Sequence, residues 1–393
     1  MDCCFDEIVE RQNTNCLKYD FARERKKPCN LLSFWIADMD FKISPAIADA
    51  ICKTAAHGIY GYTEIKQPYY DVVSSWFEKN FNFPIKREWV VKTPGIMFAL
   101  ALAVRAFSER GDAVMIQKPV YYPFSEVIID NGRKLINNSL VYKNGKYEID
   151  FNDFEEKIVT NKVKVFLLCS PHNPVGRVWT KEELIRMGTI CKKYGCIVVS
   201  DEIHCDFVYA GNTHTIFASL SKELADNVIV CTSPTKSFNI AGLQISNIII
   251  PNREIKKKFK HEYAKTGYSQ LNTVSLAAGQ AAYEFGGEWF NQLKQYLTDN
   301  LAFVRTFLAQ EMPQIKLIEP EGTYLLWLDF NNSGIPLDEI EDFVTDKAGL
   351  WLDGGTMFGH EGVGFQRINI ACPRAMLKRA LQQLKEAFEV INK

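Results

Sequence analysis

Five short apolar runs, each followed at once by polar residues, limit the folds open to this chain. They are Ala113-Val114-Met115-Ile116, Val163-Lys164-Val165-Phe166-Leu167-Leu168, Ile197-Val198-Val199, Val228-Ile229-Val230 and Ile248-Ile249-Ile250. Their shortness and β-branched content predict strands covered on both faces, and the amphipathic stretches between them predict crossover units feeding a largely parallel sheet. Between the second and third runs, Thr180-Lys181-Glu182-Glu183 carries a capping box, so a helix is expected from there to about Tyr194, closed by Gly195. A second helix is expected to begin near Ile96, just after Thr93-Pro94-Gly95.

From about residue 285 the pattern changes to a long helical stretch through Gln310, strands around Tyr324 to Asp329 and Gln366 to Ile370, and a terminal helix from Ala375. The expected organisation is an α/β fold in three parts. Residues 1–47 form an N-terminal segment packed on the small domain or a neighbouring subunit, 48–284 the large domain, and 285–393 a smaller α+β domain.

Lys plus Arg total 46 against 47 Asp plus Glu, a formal charge of -1, which offers no basic field for nucleic acid or an anionic membrane. The longest apolar stretches, Ile96 to Val104 and Ile245 to Ile250, fall short of the ~20 residues a bilayer span needs. The acidic opening Met1-Asp2-Cys3-Cys4-Phe5-Asp6-Glu7 does not read as a secretory signal. Eleven cysteines without a C-x-x-C pair fit reduced thiols and no metal site; Cys3-Cys4 and the pair Cys191 and Cys196 are the nearest neighbours. A cytoplasmic protein with a small-molecule partner is expected.

In a parallel sheet, ligands bind beyond the carboxyl ends of the strands. There the chain offers Asn173 in Ser170-Pro171-His172-Asn173-Pro174-Val175-Gly176, Asp201 in Asp201-Glu202-Ile203-His204, and Lys236 in Ser233-Pro234-Thr235-Lys236. An amide, a carboxylate and an amine have a joint use in pyridoxal 5'-phosphate (PLP) chemistry. The lysine forms a Schiff base with the cofactor aldehyde, the aspartate holds the pyridine nitrogen protonated, and the asparagine donates to the phenolic oxygen. Gly95 opening a helix frees the amides of Ile96 and Met97 for the phosphate, and Ser233 adds a hydroxyl. Tyr121, just past the first apolar run, is placed to stack on a flat ring, and the planar fork of Arg367 suits a substrate carboxylate. Taken alone, each has an ordinary reading: a solvated lysine, a capping aspartate, a turn asparagine, a core tyrosine, a surface arginine. Their common position at one sheet edge favours the joint reading.

The same residues carry a resemblance. Together with Ser237-Phe238-Asn239-Ile240-Ala241-Gly242-Leu243, these motifs resemble the fold-type I PLP enzymes. Trp35-Ile36-Ala37-Asp38-Met39-Asp40-Phe41, Gly61-Tyr62-Thr63, Val120-Tyr121-Tyr122-Pro123 and Gly322-Thr323-Tyr324 narrow it to the cystathionine β-lyase, or cystalysin-like, branch of the aminotransferase superfamily. The resemblance spans essentially the whole chain. It implies an aspartate aminotransferase-like fold, PLP as cofactor, Lys236 as the Schiff-base lysine, Asp201 on the pyridinium, Asn173 on the phenolic oxygen, and Tyr121 on the ring. Ile203 and His204, on the same turn as Asp201, join the cofactor wall, while Arg367, Asn173, Ile36 and Ala37 take the substrate carboxylate. It also implies a homodimer with shared active sites, in which Tyr62 reaches the neighbouring subunit's phosphate.

Two departures set the chain apart from the wider aminotransferases: Gln244 stands where an arginine often binds phosphate, and His204 where a tyrosine is common. His204 is either a spectator or a hydrogen-bond partner of Asp201. The reaction these features suggest is β-elimination from an S-substituted cysteine. Lys236 removes the Cα proton, with Tyr121 or Tyr122 assisting, and pyruvate, ammonia and a thiol are released. An aminotransferase and a PLP-binding regulator are the rival readings. Gly354-Gly355-Thr356-Met357-Phe358-Gly359 lacks a nucleotide-loop pattern and is expected to form a loop near Arg367 that lines the substrate cleft.

Overall fold

The computed structural model describes residues 4–391. Met1-Asp2-Cys3 of the acidic opening, and with them one member of the Cys3-Cys4 pair, lie outside that range.

Seven strands form the central sheet: β1 (Val90–Thr93), β2 (Ala113–Ile116), β3 (Lys134–Asn137), β4 (Val165–Cys169), β5 (Ile197–Asp201), β6 (Val228–Thr232) and β7 (Ser246–Ile249). Their spatial order is β1-β7-β6-β5-β4-β2-β3. Side chains alternate between two covered faces, which is why the runs are apolar throughout. Val114, Ile116, Val165, Leu167, Val199 and Ile229 pack on one side with helix α1 (Ile96–Phe107), while Met115, Phe166, Leu168, Val198, Val228 and Val230 pack on the other. The expected capping box is present: Thr180 accepts from the Glu183 amide, and helix α2 (Lys181–Lys193) gives way to Gly195 at a φ of 69°. The left-handed φ suits glycine there.

The sheet is mostly parallel, with one exception. The run Ile248-Ile249-Ile250, expected as one more crossover strand, falls on Ser246–Ile249, which pairs antiparallel with both β6 and β1. The connection from Thr232 to Ser246 holds only the short helical turns Pro234–Ser237 and Ala241–Leu243. That is too little chain for a crossover, so the strand returns beside its predecessor. Strands Val90–Thr93 and Lys134–Asn137 were not among the five apolar runs; the first carries Lys92, and the second is a half-exposed edge strand.

The C-terminal part packs helices α3 (Gly287–Glu311) and α4 (Arg374–Ile391) with an antiparallel sheet of β8 (Lys316–Ile318), β9 (Leu325–Asp329), β10 (Asp353–Gly354) and β11 (Phe365–Asn369), ordered β8-β9-β11-β10. The first 45 residues add one short strand, Leu32–Ser33, which pairs in parallel with Leu350–Trp351. Phe5 packs edge-on against Trp289. The deepest anchor of this segment is a charge cluster: Lys18, fully buried, meets Asp40 at 2.6 Å, Arg11 pairs with both Asp38 and Asp40, and Tyr19 donates to Asp40 at 3.0 Å. Among the described residues no helix is long and apolar enough to cross a membrane.

Candidate active site

Because β4, β5 and β6 run parallel, Cys169, Asp201 and Thr232 end at one edge of the sheet. The turns that leave it open onto a cavity of about 290 Å³. It is lined by Ile36, Ala37, Ile96, Met97, Tyr121, Tyr122, Asn173, Asp201, Ile203, His204, Lys236 and Arg367, twelve of the residues singled out from sequence.

Lys236 sits in the short helical turn Pro234–Ser237, whose Thr235 amide is capped by Ser233. Its Nζ donates to the Ala37 carbonyl at 2.7 Å, an acceptor shared with the Tyr324 hydroxyl at 2.8 Å. Burial pushes the lysine down to about 8, against the pull of Asp38. Asp201 is pushed the other way, up to about 7, because burial disfavours its carboxylate; the Ile203 amide, at 3.1 Å, opposes that rise. Burial also drives His204 down to about 3, which leaves it neutral. Its Nδ1 is buried without a partner, and no hydrogen bond joins it to Asp201 among the described residues.

Tyr121 is oriented by its amide, which donates to the Asn173 carbonyl at 3.0 Å. Burial raises its phenol to about 12, so the ring stays neutral. Arg367, on β11, is almost wholly buried. It donates to Asn173 Oδ1 at 3.0 Å and to the Trp35 carbonyl at 2.8 Å, pairs with Asp353, and lies over the Phe358 ring at 4.9 Å. Its Nε has no partner.

Three sequence-selected residues stand elsewhere. Ser233, expected to offer a phosphate hydroxyl, is not on the cavity wall. Its Oγ donates to the Ile245 carbonyl at 2.6 Å and accepts from the Thr235 amide at 3.1 Å. Tyr62 is 98% exposed, in a separate depression formed by residues 60–63 and 267–274. Gly95 stands one residue before the cavity wall, at the start of α1, with nothing within 4 Å of where a Cβ would lie. Of the glycine-rich loop's neighbourhood, Asp353 is on the cavity wall, while Phe358 packs behind Arg367. Gln244 is exposed and off the wall.

Five lining residues escaped the sequence reading: Leu17, Arg25, Trp35, Cys169 and Asp353. Trp35 had a signal in the motif it opens, and Asp353 in being an acid set against the glycine pair. Leu17 and Arg25 lie in a polar stretch with no periodicity and had none.

A lysine, an acid and an amide on three adjacent strand ends, with an arginine brought in by a second sheet, define an aminotransferase-type site. The chain belongs to the aminotransferase class I and II family, whose model matches residues 31–384. It is 41% identical to cystathionine β-lyase PatB of Bacillus subtilis over 384 residues, which cover 98% of this chain and 99% of that one. Cystalysin of Treponema denticola, whose structure contains pyridoxal 5'-phosphate, superposes with a TM-score of 0.96 at 35% identity over the full length of both chains. A PLP-bound C-S lyase of Staphylococcus hominis in complex with the inhibitor L-cycloserine matches with a TM-score of 0.91 at 35% identity, covering 98% of each chain.

Proposed function

We propose that this chain is a PLP-dependent carbon-sulfur β-lyase, releasing pyruvate, ammonia and a thiol from cystathionine or a related S-substituted cysteine. The observation that carries the reading is the meeting of Lys236, Asp201, Asn173 and Arg367 on one cavity. PLP fits it on physical grounds. Among the described residues Asp201 has a single hydrogen-bond donor against it, the Ile203 amide, and it is raised by burial, a condition that a protonated pyridine nitrogen would relieve. The first amides of α1 have no side-chain cap, which leaves them free for a phosphate.

When bound, PLP supplies an aldehyde for the substrate amine and a ring that withdraws electrons from Cα. The protein's share is binding and proton transfer. Arg367 Nε, left over after three other contacts, takes the substrate α-carboxylate. Lys236, held near neutrality by burial, accepts the Cα proton. The Ala37 carbonyl orients its Nζ meanwhile. Tyr121 covers the ring face, and Tyr122, half-buried beside it, is a second proton carrier.

The reading extends to assembly. Ile59, Tyr60 and Tyr62 are 73%, 62% and 98% exposed, a local apolar exposure that a second copy of the chain would cover, with Tyr62 reaching that copy's cofactor phosphate. A cytoplasmic homodimer, with parts 1–47, 48–284 and 285–393, completes the proposal.

The test is incubation with L-cystathionine while recording the visible spectrum and assaying pyruvate and free thiol, with Lys236→Ala as control. Pyruvate and thiol from the native protein alone are expected. A visible cofactor band with only keto-acid exchange replaces the lyase with a transaminase.

A further inference from the structure

We propose that Arg25 is a second carboxylate receptor, selecting S-substituted cysteines whose sulfur substituent ends in a carboxylate. The inference rests on the lyase reading and names its substrate class.

Arg25 lines the same cavity as Lys236, Tyr122 and Arg367. Its guanidinium carbon lies 5.3 Å from the centre of the Trp35 ring. That ring is buried and stacked on Trp351 at 4.4 Å with planes 8° apart, so the platform under Arg25 is fixed. A guanidinium held over a ring meets it with one side and keeps N–H groups for a ligand. The ion-paired arginines among the described residues are Arg11, Arg105, Arg177, Arg305 and Arg367. Arg25 is outside that set. Asp353, the carboxylate nearest in role, is already taken by Arg367.

Trp35 therefore serves two cations. Its carbonyl accepts from the buried Arg367, and its ring carries the exposed Arg25. A ligand whose α-carboxylate meets Arg367 would extend its far end along Ile36 and Leu17, two apolar side chains on the same wall, toward Arg25. Methylenes against those side chains and a terminal anion at the guanidinium match this sequence of surfaces. A neutral or purely alkyl substituent would leave Arg25 as found.

The test compares S-(2-carboxyethyl)-L-cysteine with its neutral amide isostere on the holoenzyme, by kcat/KM for thiol release. In parallel, the visible cofactor band is titrated with the α-methyl counterparts of both, which lack a Cα hydrogen and bind without turnover. The acid is expected to be favoured by about fivefold in both measurements, the worth of one charge pair at an exposed site. Arg25→Met, which keeps an apolar stem against Trp35, is expected to bring the acid-to-amide ratio close to one, and Arg25→Lys to restore part of it. An acid-to-amide ratio near one in the native protein, or a ratio unchanged in Arg25→Met, overturns the assignment. If neither compound releases thiol but the binding ratio is present and lost in Arg25→Met, the lyase reading fails while the carboxylate receptor stands.

Discussion

One wall of the cavity, carrying Asn173, Asp201 and Lys236, hangs on the ends of three adjacent parallel strands. Another, carrying Leu17, Arg25, Trp35, Ile36 and Ala37, comes from a segment whose only strand among the described residues is Leu32–Ser33. The first wall is held by backbone ladders buried on both faces. The second is held by side chains: Asn369 donates to the Ile36 and Asp38 carbonyls at 2.7 Å, Asn239 donates to the Phe41 carbonyl at 2.8 Å, and Lys18 and Arg11 clamp Asp38 and Asp40. The difference teaches a division of labour. On the proposed reading, the groups that react hang on strand ends, while those that would meet the far end of the substrate sit on a strap that side chains fasten in place.

Changes on the two walls should therefore fail differently. The largest effect is expected from Lys236→Ala, a loss of thiol release on the order of 10³-fold or more together with the visible cofactor band, at unchanged far-ultraviolet circular dichroism. Asp201→Asn should lower kcat by on the order of 10²-fold while PLP remains bound, since the carboxylate facing the ring nitrogen is lost but the lysine is not. A smaller loss in this variant than in a change on the strap would break the comparison.

Lys18→Met tests the strap. It leaves Asp40 buried beside Asp38 with Arg11 as the remaining cation, and should lower unfolding free energy by about 3 kcal/mol in urea titrations, with kcat/KM changed by less than about tenfold. Loss of all turnover in a folded Lys18→Met protein would show that the strap positions Lys236 through the Ala37 carbonyl as well as binding substrate. The smallest effect is a displaced midpoint. Covalent capture of PLP needs a neutral amine, and Lys236 is lowered to about 8, so the rate of cofactor capture by apoprotein should rise with pH and level off above about 8. A midpoint near the ordinary lysine value would mean that burial does not tune this amine in solution.

The reacting wall was legible in the sequence because a strand covered on both faces reads as an apolar run, and the polar residue that ends it is conspicuous. Asn173, Asp201 and Lys236 were found that way. The turn of Ser246–Ile249 was not, since an apolar run carries no direction, and the direction came from the length of the connection before it. Ser233 reads two ways for a related reason: a serine at a helix start can serve the helix's own amides as well as a ligand, and here its Oγ accepts from the Thr235 amide. Arg25 and Leu17 were illegible because the strap has no period to place a side chain against. Their position follows from Trp35 stacking on Trp351, a contact between distant parts of the chain.

The pairing of Leu32–Ser33 with Leu350–Trp351 bears on how the molecule comes into being. On the ribosome the strap emerges before the central sheet, yet the strand that receives it is made after that sheet. The reacting wall can assemble as soon as the middle of the chain is out, while the strap, with its apolar Phe34 and Trp35, has to wait. Completion of the cavity is thereby tied to synthesis of Leu350–Trp351, and a nascent product that stops short of it, even one with every strand of the central sheet in place, would present Lys236 without the wall that carries Trp35 and Arg25.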